Sequence, residues 1–394
     1  MKNLYDLHHY ESPTRMVHGI NILPHLPEEV ARLGMKKPLL VTLPPMIACG
    51  LVAKVEAPLK DAGVDYVIFD GIHGEPTCED IASGSKVYRE NGCDGFIAVG
   101  GGAAMDSAKA IGVEIAEGGP VLDYECAPGK KPLSKRIPPL VAVPTTAGTG
   151  SEVTLWAVIK DTEREYKFNV GGVEMAAHVA FIDPTLQTSL PADFTAGTGM
   201  DALCHAIECY TCAYAQPITD CYALYAIELA GKYLRRAVAC GNDLEARYGM
   251  ALCAMFAGAT YGTDSAGAVH ALTQTLGGIF PIPHGKAVAA TLVPVMEYNW
   301  MGEPAKYKRI AEALGEDTTG LTESEGAKLA VEAVYKLACD IGIKSIAEFG
   351  VTEQDIPRLA QAAFDDPQTI GNPRDLTVES YVNIYKRAIT IQYS

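Results

Sequence analysis

The chain has 394 residues, 48% of them hydrophobic and 20% charged, which is ample for a buried core and suggests two domains rather than one. A formal net charge of −16 makes it a poor partner for polyanions, so neither nucleic acid nor an anionic membrane surface is expected. Residues 1–10 carry no apolar signal-like core and no apolar run approaches the ~20 residues of a bilayer span, so the expected location is the cytoplasm.

The first half alternates short apolar runs with segments of helical spacing. Strands are predicted at 39–42, 66–69, 96–99, 140–143 and 179–182, with a helix over 103–117. Continuous apolar strands fit a parallel sheet covered on both faces, hence a doubly wound, Rossmann-like α/β domain. Beyond Leu190 the strand-like runs stop. Helical patterns follow at 199–212, 220–239, 244–261, 268–277, 304–314, 323–341, 353–363 and 379–388. The expected division is an α/β nucleotide-binding domain over 1–190 and an all-α metal-binding domain over 191–394.

Gly100, Gly101 and Gly102 follow the third strand and open a helix. Glycines let a backbone approach a phosphate, and N–H groups at a helix N-terminus attract anions. Met105 stands where the last glycine of G-x-G-x-x-G would fall, so an ordinary tight turn is the plain alternative. Asp106 and Lys109 sit one turn in. A second loop of small polar residues, 144–152, follows the fourth strand and includes Thr145, Thr146 and Thr149. Two such loops at carboxyl ends of strands are what a nucleotide crevice requires.

Asp201 and His205 are spaced i, i+4 in a predicted helix and share a face. His270 falls in another helix, and His284 follows Pro283 in a loop. One carboxylate and three imidazoles suit iron or zinc, although a histidine among small apolar neighbours is also a common core residue, and these residues alone leave both readings open. The 11 cysteines are scattered; Cys209 and Cys212 form a lone C-x-x-C near Cys204, read as reduced thiols because no second pair follows at a zinc-site spacing.

At 100–109 (GGGAAMDSAK), 144–154 (PTTAGTGSEVT), Asp183-Pro184, 199–208 (GMDALCHAIE), 283–285 (PHG) and 372–374 (NPR), the sequence resembles the iron-dependent (group III) alcohol dehydrogenase family. The likeness runs over almost the whole chain. It implies an N-terminal nucleotide domain and a C-terminal helical domain in a dehydroquinate synthase-like architecture, with the metal in the cleft between them. It implies one divalent metal, Fe2+ or Zn2+, at Asp201, His205, His270 and His284. It also implies NAD(H) or NADP(H) contacts from Gly100, Gly101, Gly102, Asp106, Thr145, Thr146, Thr149 and Lys167. The implied reaction is hydride transfer between the nicotinamide and a small alcohol or aldehyde, in a homodimer or larger homo-oligomer.

Three departures from the family pattern stand out. Gln274 replaces the second histidine of H-x-x-x-H, which takes general acid–base chemistry away from that position and leaves the proton to water or a cofactor hydroxyl. Leu43 stands where many NAD-preferring members have an aspartate, so NADP is expected to be tolerated. Residues 284–289 read HGKAVA where the family has His-Gly-Val-x-Asn-Ala. By the same resemblance the pocket is lined by Trp156, Tyr261, Thr263, Asp264, Gln274 and Lys286. That polar lining points to a hydroxyaldehyde, a diol or an aldehyde with an anionic group such as sulfonate or phosphonate. The anionic case needs Lys286 to face inward, and a solvated surface lysine fits the sequence equally. Two other readings stay open: a dehydroquinate synthase-like lyase, which calls for a richer Lys/Arg set, and a catalytically silent scaffold, against which the four-ligand set speaks. His205 argues against glycerol-dehydrogenase-like relatives, which use one aspartate and two histidines.

Overall fold

The computed structural model of the chain describes residues 7–164, 166–261 and 266–393, without the Tyr261 side chain. The chain forms two compact units. One comprises residues 11–146 and 150–188; the other comprises the described part of 1–10, residues 147–149 and residues 189–394.

Among the described residues of the first unit, six strands make one parallel sheet: β1 Arg15–His18, β2 Leu39–Val41, β3 Val67–Phe69, β4 Phe96–Gly100, β5 Leu140–Pro144 and β8 Val179–Ile182, in the order β1-β8-β5-β4-β2-β3. The hairpin of β6 Trp156–Asp161 and β7 Tyr166–Gly171 is separate and antiparallel. Helices α1 Leu26–Arg32, α2 Pro44–Ala48, α3 Leu51–Asp61, α4 Cys78–Glu90 and α5 Gly102–Ala116 complete the unit. Alternation along the strands explains why the runs are wholly apolar. Phe96, Ala98, Leu140 and Ala142 enter one core, and Ile97, Val99, Val141 and Val143 enter the core on the other face. From β2 the chain runs outward to β3, and from β4 it runs the other way to β5, so the sheet reverses between β2 and β4. A crevice at the carboxyl ends of such a pair is where ligands bind on these sheets.

All five predicted strands are present, but β1 and the hairpin escaped the sequence reading. The hairpin buries alternate residues only, Ala157 and Ile159 on β6 and Phe168 and Val170 on β7, so it offers no continuous apolar run. It is tied to α5 through Lys109, whose fully buried Nζ donates to Ser151 Oγ at 3.1 Å, to Thr154 O at 2.9 Å and Oγ1 at 3.1 Å, and to Trp156 O at 2.9 Å. Asp106 accepts from Ser151 Oγ at 2.6 Å and from Val158 N at 3.0 Å. Burial draws the Lys109 ammonium down to about 8 and pushes the neighbouring Glu152 carboxyl up to about 7.

The second unit is helical. Its helices are α6 Ala192–Thr211, α7 Pro217–Ala239, α8 Leu244–Tyr261, α9 Ala268–Ile279, α10 His284–Asn299, α11 Pro304–Ala313, α12 Glu323–Asp340, α13 Ile356–Asp365 and α14 Val378–Thr390. None of the described helices is long and apolar enough to cross a membrane. Helix α6 is almost wholly buried and packs against α7, α8 and α10. Its start is pinned by the buried Arg247, which donates to Thr195 Oγ1 at 2.7 Å, Leu190 O at 3.1 Å and Gly241 O at 2.9 Å. The helix begins seven residues earlier than the predicted 199, because burial overrides the weak helix propensity of Gly197 and Gly199. Likewise His284 is not in a loop: it is the first residue of α10, a helix that Gly285 and Pro294 concealed in the sequence.

The α6–α10 crossing is backbone against backbone. A Cβ on Gly285 would lie 2.8 Å from Gly197 O and 2.9 Å from Gly197 C. Real Cβ contacts do not come that close, so a side chain there must push the two helices apart.

Two outcomes are expected. The folded chain keeps the Glu152 proton at pH values where the unfolded chain, with a glutamate near 4.5, has released it. Stability therefore falls as pH rises from about 4.5 to about 7, and Glu152→Gln removes that slope, worth up to about 3 kcal/mol. Unfolding midpoints of both proteins across this window test it; parallel pH profiles would refute it. Gly285→Ala should cost ~1–3 kcal/mol through overpacking against main chain that cannot rotate away. A variant with the wild-type midpoint would show that the crossing is looser than described.

Candidate metal centre and nucleotide end

Helix α6 presents Asp201 and His205 one turn apart, α9 brings His270 in its first turn, and α10 opens with His284. The three imidazoles gather on one oxygen. Asp201 Oδ1 lies 3.8 Å from His205 Nδ1, 3.8 Å from His270 Nε2 and 3.7 Å from His284 Nε2. These separations exceed hydrogen-bond length, and the buried Oδ1 has no hydrogen bond to any described residue. The His205 and His270 rings stack at 4.4 Å, and those of His270 and His284 tilt at 5.7 Å. Asp201, His205 and His270 are buried, whereas the His284 side chain is 29% exposed and marks the open side of the cluster.

Burial alone would raise the Asp201 carboxyl; the surrounding imidazoles overturn that and hold it well below the usual carboxylate range. Burial lowers His205 to about 4, keeping its ring neutral, as a metal ligand must be. The Gly148 backbone is a hydrogen-bond partner of His205, which places residues 147–149 with this centre. Thr149, expected at the cofactor, therefore groups with the helical unit and is half-buried there. Asp201, His270 and His284 bring ligand atoms close enough together to hold a divalent cation, and His205 Nδ1 flanks the same Asp201 oxygen.

Glu208 did not figure among the predicted site residues. It lies on the same face of α6, seven residues after Asp201 and three after His205, and that spacing was the available signal. Its Oε2 stands 2.5 Å from His270 Nδ1, and its Oε1 accepts from Val269 N at 2.7 Å. Gln274, one turn past His270 on α9, is half-buried. Lys286 donates to Asp193 at 2.7 Å and lies over the Phe194 ring at 5.0 Å, so its charge is already matched. Trp156 belongs to the α/β unit, at the start of β6 rather than in a loop, against Gly171. Thr263, Asp264 and the Tyr261 side chain lie outside the described residues.

At the nucleotide end, Gly101 is the N-cap of α5, and Gly100 holds a φ of +157°. A Cβ on Gly100 would meet that of Ala104 at 2.7 Å, and one on Gly101 would lie 3.2 Å from Thr146 Oγ1. Bare backbone at this turn leaves the first N–H groups of α5 open to an anion. Thr145 N donates to Gly100 O at 2.9 Å, joining the second loop to the first. Leu43 follows β2 as the N-cap of α2 and packs beside Gly100, at the switch between β2 and β4. Two predicted cofactor contacts have other partners: both Asp106 oxygens are engaged by Ser151 and Val158, and Lys167 is paired with Glu75.

Comparison with known proteins agrees along the chain. Residues 13–184 match the model of iron-containing alcohol dehydrogenases, and residues 195–389 match that of the Fe-containing alcohol dehydrogenase family, C-terminal. The chain is 54% identical over 391 residues to a protein of Bacillus subtilis (strain 168) named choline dehydrogenase, covering 99% of this chain and 97% of the relative. It is 37% identical over 378 residues to the NAD-dependent methanol dehydrogenase of Bacillus methanolicus, covering 96% and 98%. The crystal structure of a 1,3-propanediol oxidoreductase superposes with a TM-score of 0.94 at 38% identity, covering 97% of this chain and 100% of that one. With the parallel α/β unit, the helical unit and the Asp201 cluster in place, these matches make the chain a member of the iron-containing alcohol dehydrogenase family, an oxidoreductase acting on CH–OH groups.

Proposed function

We propose that Asp201, His205, His270 and His284 together hold one iron or zinc ion, and that the chain interconverts a small polar alcohol and its aldehyde with a nicotinamide dinucleotide. The observation that carries this reading is the convergence of three imidazole nitrogens on the buried Oδ1 of Asp201, each within 4 Å. When bound, the metal would polarise the substrate oxygen as a Lewis acid, and the dinucleotide would supply the hydride chemistry. The chain's part is positional. Three helices bring the three imidazoles to one Asp201 oxygen, burial keeps water from three of the four residues, and the exposed edge of His284 leaves one side accessible. The glycine turn before α5, with Thr145 and Thr146, is assigned to the dinucleotide phosphates. Leu43 offers no carboxylate to select against a 2′-phosphate, so both NAD and NADP are assigned as cofactors.

Gln274 does not titrate, so the reaction's proton passes through water or a cofactor hydroxyl; its amide is assigned to hold a second polar group of the substrate. Lys286 is paired with Asp193, so it brings no unmatched charge to an anionic aldehyde. A neutral or cationic alcohol of the diol or choline class fits better, and the 54% identity to the protein named choline dehydrogenase supports it. The cysteines are thiols without a disulfide among the described residues, which suits the reducing cytoplasm. A homo-oligomer remains the expected assembly.

The wild type should carry about one metal per chain, and His270→Ala and His284→Ala should each lose metal and turnover. Stoichiometric metal with full activity in both variants would overturn the ligand assignment. In the same assay, kcat/KM for choline and 1,3-propanediol should exceed that for a sulfonated alcohol with either NAD or NADP; the reverse order would return Lys286 to the pocket. Gln274→Ala should weaken preference for a hydroxyaldehyde over propanal by ~0.5–1.5 kcal/mol, roughly two- to tenfold, as expected for one neutral hydrogen bond. An unchanged ratio would make Gln274 a space-filling residue.

A further inference from the structure

Glu208 uses its two oxygens on two different donors of α9. Oε1 takes the N–H of Val269 in the first turn, where backbone donors have no partner inside the helix and negative charge is favoured. Oε2 takes the Nδ1 side of His270, the next residue. The approach depends on Gly267, where a Cβ would lie 2.9 Å from Glu208 Oε1 and 3.3 Å from Asn372 Oδ1. Asn372 Oδ1 itself accepts from Asn299 Nδ2 at 2.7 Å and stands 3.4 Å from Ala268 N, so the start of α9 is fastened from two sides.

An imidazole left to itself can flip about its axis and exchange its proton between its two nitrogens. A carboxylate at one nitrogen ends both freedoms: Nδ1 is held as the donor, and Nε2 is the nitrogen left to serve a cation. In this chain Nε2 lies on the Asp201 side, 3.8 Å from Oδ1.

We propose that Glu208 is a positioning residue of the metal centre, which fixes the tautomer and ring orientation of His270 and anchors the first turn of α9 with the same carboxylate. The proposal rests on reading Asp201, His205, His270 and His284 as metal ligands. Its consequence is that two ligands and the group aligning a third all stand on α6, so Asp201, His205 and His270 keep register as a unit. His284 reaches the centre by a different device, the Gly197–Gly285 crossing.

Glu208→Gln places an amide NH2 against one of the two donors, and Glu208→Asp keeps the charge but is one methylene too short to reach both. The zinc dissociation constant of each variant, from chelator competition far below its unfolding midpoint, should rise by about 10–100-fold for Glu208→Gln and by less for Glu208→Asp. The visible spectrum of the cobalt-substituted protein should shift with it, a signature that a purely structural role would not move. Wild-type zinc affinity and an unchanged cobalt spectrum in both folded variants would overturn the proposal; if Glu208→Gln does not fold, Glu208→Asp alone decides. His270→Ala is measured alongside: if it retains wild-type affinity, the ligand reading falls, and the role of Glu208 falls with it.

Discussion

Three imidazoles surround one carboxylate oxygen, each with a ring nitrogen less than 4 Å from Asp201 Oδ1, and three of the four residues are buried. Burial costs the carboxylate its solvation, and the three imidazoles around it offset that cost and keep it charged. Much of the helical unit serves this constraint. Arg247 fixes where α6 starts, small residues let α10 run against it, and the buried face of α6 carries Asp201, His205 and Glu208 together. A cluster with so little slack tolerates little movement of its helices. The residues behind it therefore matter as much as those in it.

The α/β unit solves a comparable problem differently. Its glycine turn is bare main chain because Cβ atoms there would crowd Ala104 and Thr146, and it therefore cannot hold itself in place with side chains. The stiffness comes from behind, where Lys109 binds four oxygens of the 151–156 segment and Asp106 holds Ser151 and Val158. Buried charges in such a knot are costly singly and tolerable together, because each satisfies the others' hydrogen-bonding needs. Asp106 lies in a motif that reads as cofactor-binding, and each of its oxygens also accepts a hydrogen bond from inside the unit.

Lys286 is likewise partnered within the protein, on the substrate side. As a residue in a motif it suggested an anion-binding pocket; in place it is matched by Asp193 and laid over Phe194. The partner lies 93 positions away in the chain, and no local pattern could have announced it. Gln274 is the opposite case, since its position one turn past His270 was legible from helical spacing alone.

The sequence by itself determined whatever depends on short-range periodicity or on motifs with fixed spacing. The five continuous apolar strands, the change to helix after Leu190, the Asp201–His205 pair and the membership in a family of metal-dependent dehydrogenases were all legible there. Alternating strands were missed because half their residues face away from the core. The helix opened by His284 was missed because glycine and proline obscure helical propensity where packing decides. Only the tertiary structure decided which distant groups meet: that His270 and His284 reach Asp201 Oδ1, that Glu208 stands behind His270, and that Asp106, Lys167 and Lys286 are already partnered. The physical reason is common to all of these. Hydrogen bonds and ion pairs act over a few ångströms in space, and separation along the chain carries no information about them until the backbone has folded.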